Sequence, residues 1–201
     1  VGIGGGNVPL LEGVSFAEVA ISKVIRSPLV SFKARNVSMG NRSCETLHNP
    51  PVNSAYFKWV LEEVGGFGKD YNCGEDLELD AKIIEKGYKL HYLSHLSVYH
   101  KHRTSFEKFT RQMHQFGKAR IRVGRKHKKF LQWHHYGPLV LSVMFFSPLF
   151  FIPVGMGFLN AAYLGFRERS IRVFILATVL TVSFYLSYGI GEIVQILSKK
   201  N

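Results

Sequence analysis

Cysteine is scarce in this chain, and the patterns of a secreted protein are missing. The two cysteines, Cys44 and Cys73, lie far apart and form no Cys-x-x-Cys pair, which excludes a disulfide framework and favours a reducing compartment. The opening residues, VGIGGGNVPLL, have neither a charged start nor a continuous apolar core, so they do not resemble a signal peptide. They also lack an initiator methionine, and we therefore expect the chain to be part of a longer product.

Acidic residues are outnumbered, and the excess of cations is concentrated in one segment. The chain has 26 Lys and Arg against 14 Asp and Glu, a net charge of +12. This balance favours anionic partners such as phosphorylated ligands, nucleic acid or an acidic membrane surface. Eleven of the cations lie between Lys101 and Lys129, where Glu107 is the only acid. The position of this segment therefore decides among the partners.

Two long apolar runs follow the cationic segment. Residues Gly137–Phe166 carry no charge, and Val173–Leu197 contains a single charged residue, Glu192. About 20 apolar residues are enough to cross a bilayer, and cations beside an apolar run are typical of the cytoplasmic side. The charge therefore indicates a multi-pass protein of the cell membrane with its preceding part in the cytoplasm. A nucleic-acid partner is the weaker interpretation, and we predict none.

The first apolar run is too long for a single straight span. Its 30 residues would form a helix of about 45 Å, whereas the hydrocarbon core measures about 30 Å. Pro138, Pro148 and Pro153 interrupt the run. One kinked helix and a hairpin of two short helices both fit this pattern. The cations of the loop RERSIR favour the hairpin, those of the terminal SKKN oppose it, and the topology stays open.

The first hundred residues have the periodicities of a mixed α/β domain. Apolar spacing predicts helices over Phe16–Ile25 and Phe57–Val64 and a third helix that begins near Glu75, and glycines end the last two. Alternating apolar residues predict strands in YKLHYL and LSVYHKH. We therefore predict an α/β fold for this part of the chain.

The cationic segment has the pattern of an amphipathic helix. Thr104 and Glu107 form a capping-box pattern at its start. One apolar and one cationic side suit a helix that lies at a membrane surface, although an amphipathic helix packed on the domain has the same pattern. The apolar side consists of Phe106, Phe109, Met113 and Phe116, and the cationic side of Lys108, Arg111, Lys118, Arg120 and Arg122.

Four carboxylates are concentrated directly after Gly74. Glu75 and Asp76 belong to the first turn of the predicted helix, where amide groups and the helix dipole favour an ionised carboxylate that is able to accept a proton. Ordinary helix capping explains the same pair of residues. We place the other two carboxylates, Glu78 and Asp80, on the solvated face of this helix.

Several short motifs occur in a particular order along the chain. They are Val64-Gly65-Gly66-Phe67, Glu75-Asp76, Lys86-Gly87-Tyr88-Lys89, Val98-Tyr99-His100, and the spacing from Arg111-Gln112 through Gly117 to Arg120. With these motifs the chain resembles the C-terminal portion of a family 2 glycosyltransferase of the membrane-anchored, polysaccharide-building branch. The resemblance is densest over residues 53–125. The chain departs from the family at Lys82, where the family often has arginine.

The resemblance implies a GT-A fold, which is the fold of nucleotide-diphosphosugar transferases. It also implies inverting transfer of a sugar from a nucleotide-diphosphate donor to a lipid-linked or saccharide acceptor, with a divalent metal, Mg or Mn, as cofactor. Asp76 would be the catalytic base and Glu75 a supporting carboxylate. His100 would contact the diphosphate or the metal, although a strand-end histidine bonded to the backbone is the ordinary alternative.

The same resemblance implies a binding role for part of the cationic helix. Arg111, Gln112 and Arg120 would contact the diphosphate or the acceptor, and a cationic face on lipid head groups explains them equally well. Membrane lipids are therefore predicted partners in either case. The alternative function is a non-catalytic membrane-anchored module that binds acidic lipid or a partner subunit through residues 101–129.

One motif of the family is absent. The sequence contains no Asp-x-Asp, and GIGGGN, which lacks GxGxxG spacing, resembles the turn that follows that motif in the family. We therefore predict a chain that lacks the DxD half and is inactive alone. Residues 1–103 would be the C-terminal part of a GT-A domain, 104–130 a basic interfacial helix, and 131–201 a transmembrane region with apolar spans at about 138–166 and 173–197.

Overall fold

A computed structural model describes residues 1–10, 12–31, 42–68, 73–101 and 105–198 of the chain. These residues form a mixed α/β structure with a four-stranded sheet and extensive helix. In chain order the elements are β1 (Gly2–Pro9), α1 (Phe16–Arg26), α2 (Pro28–Ser31), β2 (Cys44–Thr46), β3 (Ser54–Tyr56), α3 (Lys58–Glu63), α4 (Glu75–Glu85), β4 (Leu90–His100), α5 (Phe106–Lys126), α6 (Gly137–Phe145), α7 (Phe151–Glu168) and α8 (Ile171–Leu197).

The sheet has the strand order β2-β4-β1-β3. Its two central strands, β1 and β4, run parallel, and the two short outer strands pair antiparallel to them. The two strands predicted around residues 88–102 form the single strand β4, whose pairing with β1 shifts register between Gly5 and Gly6. This irregularity explains why the alternation in the sequence is interrupted there.

The prediction of a turn for the glycine run at the start of the chain is wrong, because these residues form the central strand β1. A Cβ atom on Gly4 would lie 2.4 Å from the Asn49 side chain, and one on Gly5 would lie 2.0 Å from the carbonyl oxygen of Leu96. The glycines therefore serve close packing within the sheet, since a side chain at either position would collide with its neighbour.

The helices α1, α3 and α4 confirm the predicted periodicities. Gly65 and Gly66 follow α3, and Gly87 follows α4, all with the positive φ angles that glycine adopts readily. Within α4, Leu77 and Ala81 are buried, in agreement with the predicted apolar face. The glycine that precedes α4, Gly74, also has a positive φ of 87°.

The cationic helix α5 packs closely against α8. Backbone meets backbone here, because a Cβ atom on Gly117 would lie 2.1 Å from the Tyr188 carbonyl oxygen and one on Gly191 would lie 2.2 Å from that of His114. Phe109, from the predicted apolar side, is fully buried in the core. Contact with protein therefore accounts for much of this side, and the interfacial placement stays a prediction.

The N-cap of α5 is Ser105, whose side chain accepts a hydrogen bond from the Lys108 amide. Thr104, the predicted capping residue, lies outside the described residues. The helix therefore begins where the sequence predicts, with a neighbouring hydroxyl as its cap.

The first apolar run forms two helices, α6 and α7, with Pro148 between them. Both pack against α8, which has 27 residues and is the one helix in the described part of the chain that is long and apolar enough to cross a membrane. The largest core cluster joins the sheet-proximal helix α1 to α5 and to these apolar helices. The prediction of several membrane spans stays a prediction.

Candidate active site

Asp76 is the second residue of α4 and its carboxylate is half-buried, with 20% of the side chain exposed. The residue that caps the helix is Gly74, and no side chain provides a capping hydrogen bond. The ordinary capping explanation for Glu75 and Asp76 is therefore wrong in this structure. Both carboxylates lie in the first turn, where the helix dipole favours negative charge.

Asp80 lies one turn further along α4 and is completely buried, so its predicted place on the solvated face is wrong. Its Oδ1 accepts a hydrogen bond from the Tyr56 hydroxyl at 2.7 Å, and its Oδ2 accepts one from the Asn49 amide at 3.0 Å. The His48 Nδ1 lies 2.7 Å from the same Oδ2. Three partners from other parts of the chain thus compensate for burial of the carboxylate.

Glu78 is also buried, which overturns its predicted place on the solvated face. Its carboxylate lies 3.1 Å from the Lys82 Nζ and 3.8 Å from the Lys126 Nζ on α5. Lys82 in turn donates a hydrogen bond to the carbonyl oxygen of Gly66. Lys82 therefore joins α4 to the turn that follows α3. It is the residue at which the sequence departs from the family that the chain resembles.

His48 lies between the two aspartates of α4. Its Nε2 is 3.7 Å from the Asp76 Oδ2, on the side opposite the bond to Asp80, and 31% of the side chain is exposed. An ionised carboxylate only accepts hydrogen bonds, so an ionised Asp80 requires a hydrogen on the His48 Nδ1, which lies 2.7 Å from it. In the neutral ring the Nε2 that faces Asp76 is consequently a proton acceptor.

Sequence reasoning did not identify His48 as a site residue. It lies in a loop-rich stretch without a motif, 32 positions before its partner Asp80. The adjacent Asn49 is fully buried, and its side chain donates to the His91 carbonyl oxygen on β4. The short His48-Asn49 segment is thus held between the sheet and α4, and only the tertiary fold reveals it.

Tyr56 completes the surroundings of the buried aspartate. Burial raises the pKa of the Tyr56 hydroxyl, and the nearby Asp80 carboxylate raises this pKa further. The hydroxyl therefore keeps its hydrogen at physiological pH and remains a donor to Asp80.

The start of α4 packs directly on the cationic helix. A Cβ atom on Gly74 would lie 2.7 Å from the Ala119 Cβ of α5 and 3.8 Å from the Val123 side chain. Gln112 is seven residues before Ala119 and so occupies the same face of α5, about 10 Å along the axis. The predicted binding residue Gln112 therefore belongs to the side of α5 on which α4 begins.

The two predicted arginines have different surroundings. Arg111 is exposed and pairs with Glu107 at 2.9 Å along the same helix. Arg120 is half-buried, lies within 3.5 Å of the Phe130 carbonyl oxygen, and interacts electrostatically with the buried Glu192 of α8. The structure thus places Arg120 toward α8 and not toward Asp76.

The other two predicted site residues are His100 and Glu75. His100 is the last residue of β4, where its carbonyl oxygen accepts a hydrogen bond from the Leu10 amide. The described partners of Asp76 and Asp80 do not include it. Glu75 has one buried carboxylate oxygen that meets no hydrogen-bond partner among the described residues.

The described residues do not fit the Mg or Mn that the resemblance implies. In this part of the chain no group of three or more His, Cys, Asp or Glu side chains is arranged to hold a metal ion, around His100 or elsewhere. Hard cations of this kind require several oxygen ligands at once, whereas a histidine ring separates Asp76 from Asp80. Metal dependence therefore stays a prediction.

No family model matches the chain, and no curated protein matches it. The function is therefore argued from the geometry of the site itself.

Proposed function

We propose that this chain supplies the catalytic base, the acceptor side and the membrane anchor of an inverting glycosyltransferase. The donor would be a nucleotide-diphosphate sugar, and the acceptor a lipid-linked or growing saccharide at the cytoplasmic face of the cell membrane. The observation that carries the proposal is the position of Asp76, which lies half-buried at the start of α4 beside the cationic helix α5.

The surroundings of Asp76 suit a group that accepts a proton. Inverting transfer requires one carboxylate to remove the acceptor hydroxyl's proton while that oxygen attacks the anomeric carbon. The bond from this carbon to the diphosphate then breaks, and the diphosphate leaves with the electron pair. The dipole of α4 favours the ionised, proton-accepting form of Asp76, and Asp80 and Tyr56 keep His48 in place beside it.

The fold is compatible with part of a GT-A domain. The parallel strands β1 and β4 form the centre of a mixed sheet, and α4 leads directly into β4. In open α/β sheets, ligands bind beyond the carboxyl ends of such strands. The cations of α5 would balance the charge of the departing diphosphate, with Gln112 on the side of α4.

Apolar surface supports placement in a membrane. Large side chains remain exposed along α6, α7 and α8, and contact with lipid acyl chains would remove them from water. The preceding cations favour a cytoplasmic position for the sheet, and α8 would supply a span. The exposed residues include Val143, Phe146, Phe150, Phe151, Leu159, Phe166, Ile171, Ile175 and Leu197.

The non-catalytic alternative is favoured by one observation, the exposed cations on and after α5. Arg111, Arg125 and Lys129 are exposed and would contact acidic head groups without any chemistry at Asp76. The two functions therefore differ in what they require of this one carboxylate.

The test is the Asp76→Asn substitution in the complete gene product, with any upstream sequence restored. We expect the rate of sugar transfer to fall at least about 100-fold, because general-base catalysis contributes about that much or more. Glu62→Gln, an equally isosteric change at an exposed carboxylate of α3, should leave the rate unchanged. Normal transfer by Asp76→Asn would refute the enzymatic function and favour the lipid-binding module.

A further inference from the structure

We propose that His48 acts through Asp76 by carrying the proton from the Asp76 carboxylate to solvent. Asp80 holds the His48 ring in the tautomer that this transfer requires. The inference rests on the proposed function, since it requires Asp76 to act as the base. It assigns a role to a histidine and a buried aspartate that no motif in the sequence identifies.

The direction of the hydrogen bonds around Asp80 determines the tautomer of His48. The Tyr56 hydroxyl and the Asn49 amide both donate to this carboxylate, and the His48 Nδ1 lies within bonding distance of it. Asp80 is therefore an acceptor for all three partners, and the hydrogen of the neutral imidazole is fixed on Nδ1.

On its other side the His48 ring faces the Asp76 carboxylate. With the hydrogen on Nδ1, the Nε2 presents its lone pair to the Asp76 Oδ2 at 3.7 Å. This distance is too long for a hydrogen bond, so the transfer requires the two groups to approach each other when the acceptor is bound. Catalytic contacts in the absence of substrate are often longer than in the reacting complex.

Asp76 and His48 together provide a path for the proton of the acceptor hydroxyl. As the new glycosidic bond forms and the bond to the diphosphate breaks, the acceptor's proton moves to the Asp76 Oδ2. The resulting carboxylic acid passes it to the His48 Nε2, and the imidazolium then lies between two carboxylates. Because 31% of the His48 side chain is exposed, water can remove the proton and leave Asp76 ionised for the next turnover.

A spectroscopic test examines the tautomer without any need for activity. The 201-residue chain, labelled with ¹⁵N-histidine in lipid nanodiscs, is measured under alkaline conditions, with His48→Gln used to assign the signal. We expect the hydrogen of the neutral His48 ring on Nδ1, and a shift toward the usual Nε2–H form in Asp80→Ala. A hydrogen on Nε2 in the wild-type chain would overturn the proposal.

A transfer assay on the complete gene product examines the role itself. We expect His48→Ala to slow transfer by at least about 10-fold, less than loss of the base itself, and added imidazole to restore much of the rate. His95→Ala, which removes an exposed histidine of β4, should transfer at the wild-type rate with or without imidazole. Restoration by a free imidazole is not expected of a histidine that only supports the fold.

The outcomes separate this inference from the proposed function. Full activity of Asp76→Asn would remove the proposed function, whatever His48 does. An inactive Asp76→Asn together with a fully active His48→Ala, or with a slow His48→Ala that imidazole does not restore, would overturn the role of His48 alone. In either of these two outcomes for His48→Ala, the assignment of Asp76 as the base would stand.

Discussion

Asp76 and Asp80 are four positions apart on the same face of α4, and yet their surroundings differ. Asp80 is enclosed and meets three partners, whereas the Asp76 carboxylate lies 3.7 Å from the His48 Nε2 and is 20% exposed. A carboxylate with satisfied oxygens holds a structure together, and one with an open oxygen is able to bind or react. The two residues are thus suited to different tasks, although their spacing in the sequence makes them look equivalent.

The hydrogen bond from Tyr56 to Asp80 provides a prediction about stability. We expect Tyr56→Phe to lower the free energy of unfolding by about 1–3 kcal/mol, because a buried carboxylate oxygen loses its donor. Chemical denaturation of the detergent-solubilised protein measures this effect. Tyr99→Phe, at an exposed position on β4, is the matched control, and equal losses for both variants would contradict the prediction.

Individual site residues were only partly predictable from the sequence. Asp76 was predicted as the base from the resemblance to family 2 glycosyltransferases, because the local glycine, acid pair and helical periodicity fit ordinary helix capping as well. The burial of Asp80 depends on donors supplied by residues 48, 49 and 56, which no local pattern connects with α4. The same reason explains why His48 was missed.

Helices were predicted better than strands. The apolar spacing and terminal glycines of α3 and α4 are contained within each segment, so their ends could be read directly. Strand β1 consists largely of glycine, which has a poor intrinsic preference for strands. Its place in the sheet is decided by pairing with β4 some ninety positions away, and this information is absent from the segment itself.

The cationic helix α5 has two packed faces. Ala119 and Val123 contact the start of α4, and Gly117 contacts α8. Phe130, just beyond the helix, joins Val123 in a small core with Leu77 of α4. The helix therefore packs against both α4 and the apolar helix α8, in addition to carrying cations.

The short turn after α5 contains a histidine whose protonation should affect stability. Burial and the nearby cation of Arg120 lower the pKa of His135 to about 3, and its Nδ1 accepts a hydrogen bond from the Gln132 amide. The unfolded chain therefore binds a proton below about pH 6.5 that the folded chain does not bind. Stability from this residue is present above that pH and is lost as the pH falls toward 3.

We expect the thermal unfolding temperature of the solubilised protein to decrease between pH 7 and pH 4, and to decrease less in His135→Gln. Glutamine is still able to accept the bond from Gln132 but takes up no proton. His95→Gln, at an exposed position, should retain the wild-type slope. Parallel slopes for all three proteins would show that His135 does not contribute.

At the scale of the whole molecule, helix α1 of the α/β part shares a core with α5 and the apolar helices, whereas α3, α4 and β4 form a separate core. Val24 of α1, Met113 of α5, Leu164 of α7 and Tyr185 of α8 belong to the same buried cluster. The Tyr185 hydroxyl also donates to the Leu29 carbonyl oxygen in α2. These helices therefore meet in a common interior, which the sequence boundaries alone do not reveal.

The contact between α5 and α8 gives a prediction for the complete molecule. Gly191→Val should lower the unfolding temperature and reduce sugar transfer, because its side chain would collide with the His114 carbonyl oxygen and such overpacking costs about 1–3 kcal/mol. Gly155→Val in α7 introduces the same β-branched side chain where no atom lies within 4 Å. Equal effects of the two variants would show that helix propensity, and not the contact, is responsible.

Gly74 packs directly on α5, and α5 packs directly on α8. These contacts have a mechanical consequence. Lipid thickness changes the tilt of a spanning helix, and a tilt of α8 would move the rigid helix pressed against its glycines. That helix also sets where α4 begins, and hence where the Asp76 carboxylate points. Bilayers of different acyl-chain length should therefore alter the rate of the proposed sugar transfer even when the substrates are saturating.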